Sequence, residues 1–272
     1  MFPYVSIGPL RFGSYGICVA LAFAVSLFIL RREWRSRKLP GDPYLLVTVV
    51  ALAGMFGAKL WHYLERPAIL LHHPLILFWP GGGFAFFGGL AAGAAALVWL
   101  ARSYHIPVLR MMDTVSPAAA LGYGIGRIGC LLAGDGCYGI PTRLPWGMTF
   151  PNGVVPTTQH VHPTPIYEAM VAAAIFYCLW SLRSRTLQGL VPGGQIFAAY
   201  LILSGIARFL VEFIRINPKV LYGMSNAQLA SLVAVLVGFL AYAASTGSRR
   251  RRAQKAHAIL RCRGPSDHGS AR

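Results

Sequence analysis

Acidic side chains are scarce in this sequence: eight Asp and Glu among 272 residues, with charged residues of all kinds at only 12%. Soluble domains carry about a quarter of their residues as Asp, Glu, Lys and Arg. A free-standing soluble domain is therefore excluded. Cysteine is also sparse, five residues at irregular spacing, which fits neither a disulfide framework nor a zinc site. Cys130 and Cys137, near the outer face, read either as a pair open to joint oxidation or, in preference, as two small buried thiols. Histidines do not recur at ligand spacing, since His72 and His73 are merely adjacent, so neither a metal nor a cofactor is expected. No internal repeat is evident, which weighs against transporters built from duplicated halves. The first apolar run lacks a preceding basic cluster and a small-residue cleavage site, so it is expected to remain as a membrane span and not to be a signal peptide.

What the chain has in abundance is apolar sequence. Hydrophobic residues make up 56% of it, and mean hydropathy is +0.55. Seven apolar segments, each about 20 residues long as a bilayer span requires, fall at about 12–30, 44–64, 84–101, 114–134, 164–182, 193–214 and 225–245. The fold class expected is all-α, a polytopic membrane helix bundle of about seven transmembrane helices. Residues 1–247 form its membrane domain, with one long extramembrane loop at about 135–163. Residues 248–272 are a basic tail without apolar periodicity, expected to lack fixed structure and to be drawn to anionic lipid.

A net charge of +17 would suggest nucleic acid in a soluble protein, but here its distribution decides. Basic residues fall in alternate loops: Arg31, Arg32, Arg35, Arg37 and Lys38 after the first span, Arg102 and Arg110 after the third, Arg183 and Arg185 after the fifth, and the tail after the seventh. By the positive-inside tendency the N-terminus lies outside and the C-terminus inside. No nucleic-acid partner is expected.

Against this apolar background a few polar residues stand out. Arg127 is the one charged side chain between Thr114 and Ala133, and a charge inside a span marks a functional site by default. Gly122, Gly126, Cys130 and Gly134 recur every fourth position beside it, a small-residue face that lets helices approach. In the sixth span Ser204, Arg208, Glu212 and Arg215 share one stripe, which by itself reads equally as an ion-pair ladder between helices. Lys59, near a span end, has the position of a side chain snorkelling to the interface, and Tyr15 that of an interfacial anchor. Given the orientation, Arg127 lies about 12 Å and Arg208 about 10 Å below the outer ends of their helices. Tyr15, the glycine-rich entry at Phe84–Leu90 and Glu168 begin spans at the same level. Arg127, Arg208 and Arg215 opposite Asp135, Glu168 and Glu212 describe a cavity suited to a phosphodiester, held by forked hydrogen bonds. A phospholipid head group is the obvious anion at that depth.

Several motifs in register resemble the prolipoprotein diacylglyceryl transferases, bacterial inner-membrane enzymes. The core motif is Gly126-Arg127-Ile128-Gly129 followed by Gly134-Asp135 and Tyr138-Gly139. Ser14-Tyr15-Gly16, Phe87-Gly88-Gly89-Leu90, His162-Pro163-Thr164 with Tyr167-Glu168, and Arg208 through Arg215 complete it. The resemblance covers roughly residues 1–242. It implies transfer of a diacylglyceryl group from phosphatidylglycerol to the lipobox cysteine of a prolipoprotein, at a site facing the periplasm. Arg127, Arg208 and Glu212 are then the implied catalytic residues. Tyr15, Gly88, Gly89, Asp135, His162, Tyr167, Glu168 and Arg215 are the implied substrate contacts. Four positions depart from the family pattern: Phe87 replaces the usual histidine, Cys130 an asparagine, Pro165 a glutamine and Lys59 an arginine. The Phe87 position leaves His162, Glu168 and Asp135 as candidate bases. The alternative from another class is a non-catalytic protein that binds or translocates phospholipid.

Overall fold

A computed structural model describes residues 2–72, 83–188 and 192–262. His73, Gly81 and Gly82 lie outside the described residues. Among the described residues, seven helices are long and apolar enough to cross a membrane: α1 (Ser14–Arg37), α2 (Pro43–Leu64), α4 (Phe86–Ser103), α5 (Val108–Ala133), α6 (Thr164–Leu187), α7 (Gln195–Val211, continued by a 3-10 turn Glu212–Ile214) and the apolar part of α8 (Asn226–Cys262). The chain is a multi-pass membrane helix bundle, as its hydropathy predicts. A short α3 (Pro67–His72) and two hairpins, β1 (Tyr4–Ile7) with β2 (Leu10–Gly13) and β3 (Met148–Phe150) with β4 (Thr157–Val161), are additions that hydropathy does not reveal.

The helices overrun the apolar segments at their polar ends. α5 begins at Val108, so Asp113, which the sequence places just ahead of the fourth span, is inside the helix. There its carboxylate accepts the backbone N–H groups of Gly194 (2.5 Å) and Phe197 (2.8 Å), capping α7 from a neighbouring helix. α8 likewise continues as helix through 248–262, where an irregular tail is expected. That stretch is rich in Arg, Ala, Gln and Lys and free of Gly and Pro, a composition with high helix propensity.

Glycine sets the closest helix contacts. A Cβ on Gly57 of α2 would lie 2.6 Å from the Gly88 carbonyl oxygen of α4, and one on Gly88 would lie 2.3 Å from that of Gly57. The glycine-rich start of α4 therefore presses backbone to backbone on α2. This packing occupies Gly88, and Gly89 sits likewise against Gly54 and Ala58. A buried cluster at the opposite end, Leu30 and Trp34 of α1, Leu46 of α2, Leu97, Leu100 and Ala101 of α4, with Ile106 and Met111, joins the α2–α4 pair to α1 and α5. Also at that end Glu33, fully buried, pairs with Arg37 at 2.9 Å and with Arg183 of α6.

On α5 the small-residue face divides its work. Gly122 meets Ser26 of α1, Gly124 meets Ala169 and Ala172 of α6, and Gly129 meets Cys18 and Tyr15 of α1, whereas a Cβ on Gly126 would touch nothing within 4 Å. The expectation that Gly126 is a packing glycine is corrected: its face opens a cleft of about 230 Å³ between α1 and α5.

Candidate active site

The unusual groups of α5, α6 and α7 converge on one carboxylate. Glu168, in the second turn of α6, is only 4% exposed. Its Oε1 accepts from Arg208 Nη1 at 2.8 Å and from Arg215 Nη1 at 3.0 Å. Oε2 accepts from the Tyr123 hydroxyl at 2.7 Å and pairs with Arg127 Nε. Three guanidinium groups, from α5, from α7 and from just beyond it, are thereby drawn to one point. The helix geometry explains the order: Tyr123 and Arg127 are one turn apart on α5, and the Arg127 guanidinium lies over the Tyr123 ring, 4.8 Å from its centroid.

A second carboxylate backs the first. Glu212, fully buried, has its Oε1 held by Ser225 Oγ (2.7 Å) and Asn217 Nδ2 (2.5 Å). Its Oε2 lies 2.8 Å from Arg208 Nη2 and 3.9 Å from Arg215 Nε, close enough for ion pairing but outside hydrogen-bond geometry. Arg215 Nε makes no hydrogen bond among the described residues. The Arg127 and Arg208 side chains remain 18% and 25% exposed. The arginines are thus oriented from behind by carboxylates while keeping N–H groups free to face a ligand. A cluster of forked donors in a poorly solvated place is a receptor for an oxyanion and a stabiliser of developing negative charge.

The long loop after α5 is a packed structure and not a mobile strap. Gly134 takes the left-handed conformation that ends α5 (φ 60°), and a side chain there would strike Gly153 at 2.7 Å. Val154 and Val155 N–H groups bond the Ala133 and Gly134 carbonyls, and Tyr138 stacks on the buried Phe150. Gly139 and Ile140 then run between His162 and Ile214, joined by backbone bonds of 2.8 Å to each. This seam ties the start of α6 to the end of α7 and holds Glu168 and Arg215 at a fixed separation.

The other sequence candidates divide into two groups. Asp135 accepts the Cys137 N–H at 3.1 Å, and Cys137 Sγ lies 3.8 Å from Arg127 Nη1, so both border the arginine cluster. Tyr15 is half-exposed on α1 with its ring against Gly129. His162 and Tyr167 instead face an apolar groove of about 680 Å³, lined also by Leu144, Trp146, Met148 and Met170. There the Tyr167 hydroxyl accepts from Trp146 Nε1 at 2.8 Å and lies 3.3 Å from His162 Nδ1. Of the candidate bases, Glu168 has both oxygens engaged by cations or hydroxyl, which suits it to positioning and not to proton transfer. Lys59 is buried, with its ammonium 5.6 Å from the ring centroid of Phe84, just ahead of α4. Tyr123, Asn217 and Ser225 belong to the site and carry no sequence signal beyond proximity to Arg127 or Glu212. Cys130, Asp135 and Cys137 have ligand atoms within 4.8 Å of one another, but the neighbouring guanidinium groups oppose a cation there.

The profile of the family described as prolipoprotein diacylglyceryl transferase matches residues 3–244. Among curated relatives, the phosphatidylglycerol–prolipoprotein diacylglyceryl transferase of Clostridium tetani is 32% identical, the match covering 86% of this chain and 93% of that protein. The like-named protein of Geobacter sulfurreducens is 33% identical over 87% and 94% of the two chains, and that of Paracidovorax citrulli 31% over 88% and 95%.

Proposed function

As a chain that belongs to the prolipoprotein diacylglyceryl transferase family, this protein is an enzyme for which we propose the reaction its relatives' names describe: transfer of a diacylglyceryl group from phosphatidylglycerol to a prolipoprotein. The acceptor is the lipobox cysteine. Its thiolate sulfur attacks the glycerol carbon that carries the phosphate ester, a C–S bond forms as the C–O bond breaks, and glycerol phosphate leaves with the electron pair. The acceptor's thiol proton passes to solvent or a nearby base. Two demands follow from that chemistry: a thiol of ordinary pKa about 8.5 must be presented as its anion, and a phosphate must gain charge as it departs.

Arg127 and Arg208 meet these demands. Arg127 holds the donor phosphate in the cleft beside Gly126, and Arg208 faces the thiolate or the departing phosphate. Glu168, Glu212 and Arg215 orient the pair, and the groove beside Tyr167 and His162 accommodates apolar substrate segments. The carrying observation is the gathering of three guanidinium groups on the buried Glu168 carboxylate, with the outer faces of Arg127 and Arg208 left accessible. The basic loops and tail support an orientation with this end toward the outer leaflet of the bacterial inner membrane.

The test is incubation of purified protein with phosphatidylglycerol and a lipobox peptide, with mass spectrometry for the thioether adduct and for glycerol phosphate. Arg127→Ala is expected to lower the transfer rate about 10²–10³-fold, the usual cost of losing one oxyanion donor. Arg127→Lys is expected to restore little of it, because an ammonium cannot reproduce the fork. Lipid bound without any adduct would overturn the assignment in favour of a lipid-binding or lipid-translocating protein.

A further inference from the structure

Beside the arginine cluster lies a pair of groups for which the transfer reaction has no need. Cys130 occupies the last turn of α5 and is buried; Cys137 follows seven residues on and is half-buried. Between them the chain reverses through two left-handed glycines, Gly134 (φ 60°) and Gly136 (φ 83°). The reversal returns Cys137 over the helix end, so that both sulfurs and an Asp135 oxygen fall within 4.8 Å. Cys137 is held there from three sides. Its N–H is bonded to Asp135, its carbonyl accepts the Thr164 hydroxyl, and its sulfur faces Arg127 Nη1 at 3.8 Å. Such a group suits either a soft cation or a dithiol. Guanidinium charge at the sulfur repels the first and stabilises the thiolate on which the second depends.

We infer that Cys130 and Cys137 are a dithiol that closes reversibly to a disulfide across the end of α5, through exchange with a disulfide-bearing oxidant. The step follows ordinary thiol–disulfide exchange. The Cys137 thiolate attacks one sulfur of the oxidant and displaces the other as a thiolate, leaving a mixed disulfide on Cys137. Cys130 then gives up its proton and attacks the Cys137 sulfur, expelling the second oxidant thiol. The two cysteine sulfurs lose two electrons, the oxidant's disulfide gains them, and the two thiol protons end on the released thiols. Accessibility makes Cys137 the attacking residue and Cys130 the resolving one. Hydrogen bonding from Cys130 also lowers the Cys137 thiol to about 7, overriding the upward push of burial. Only the supply of oxidant rests on the functional reading, since an outward-facing end meets an oxidising compartment. Closure would take the Cys137 sulfur away from Arg127 and tie α5 to the seam that holds Glu168 and Arg215.

The experiment uses the full chain in detergent, treated with oxidised or reduced glutathione, then blocked with maleimide and digested with trypsin. Cys130 and Cys137 share one tryptic peptide, 128–143. The expected result is loss of both maleimide labels together on oxidation, with that peptide two hydrogens lighter, and full return of both labels on reduction. Cys130→Ser is expected to retain glutathione on Cys137. Cys137→Ser is expected to leave Cys130 at least about tenfold slower to react, as buried thiols are. Two labels persisting through oxidation would overturn the pair, as would zinc that co-purifies and protects both thiols until chelated. Because the readout is the mass of one peptide in the wild-type chain, it stands whether or not the protein transfers lipid, and failure of transfer alone would count only against the functional assignment.

Discussion

At the scale of single residues, the site depends on an acid that the sequence offers as one candidate among several, a contact or a base, without showing that the arginines converge on it. Arg127, Arg208 and Arg215 are conspicuous because a guanidinium inside an apolar run demands an explanation. That the same run implies a shared counter-ion, and that Glu168 is that counter-ion for all three, follows only from helix rotation and depth. Tyr123, Asn217 and Ser225 are ordinary residues on any reading of composition, and distance alone identifies them. Glu168→Gln removes the buried charge but keeps the volume. It is expected to destabilise the protein by about 3–5 kcal/mol, the cost of stranding buried partners, measured by thermal unfolding in detergent. A second outcome concerns Cys137. Its thiol is lowered to about 7 by hydrogen bonding from Cys130, so the reactive anion forms as pH rises through that value. Its carboxymethylation rate by iodoacetate is therefore expected to rise with a midpoint near 7, whereas an ordinary cysteine rises near about 8.5.

At the scale of elements, hydropathy locates every spanning helix but misplaces the ends. The reason is physical: apolar length reports the thickness of the hydrocarbon, while a helix continues until its backbone is capped or its residues refuse. Asp113 shows the difference. Read as lying ahead of a span it is a loop acid, but inside α5 it supplies both oxygens to the start of α7. Asp113→Ala is expected to lower stability by about 1–2 kcal/mol through the lost cap. Thermal unfolding checks this, with the transfer rate per folded molecule unchanged because the substitution lies at the far end of the bundle. The hairpins and the seam at Gly139 were not foreseeable from periodicity, since strands of three to five residues are too short to show an alternating pattern. The glycines that open α4, Gly88 and Gly89, stand out in the sequence as part of a glycine-rich entry. Their partner, α2, does not, because a glycine records that something comes near and not what.

At the scale of the whole molecule, the bundle carries an ionic cluster at each end, and the two differ in how far their cations are engaged. At the far end Glu33 faces Arg37 and Arg183, and the pair is closed by Ser36 and by the Trp180 ring over which Arg183 lies, 4.6 Å from its centroid. At the site end three guanidinium groups share Glu168 and Glu212, and those of Arg127 and Arg208 stay partly exposed while that of Arg215 is buried. Phosphatidylglycerol is therefore expected to raise the unfolding temperature more than a zwitterionic lipid of the same chains does. At a hundredfold excess over its dissociation constant the gain is about 2.7 kcal/mol, and Arg127→Ala is expected to abolish most of that difference. Guanidinium groups gathered on buried carboxylates, with Arg127 and Arg208 still partly exposed, leave forked donors in want of an acceptor. On the proposed reaction the headgroup is expected to serve as a missing piece of the fold as well as a reactant, so that every turnover, by carrying that anion away, returns the protein to its weaker form until the next lipid arrives.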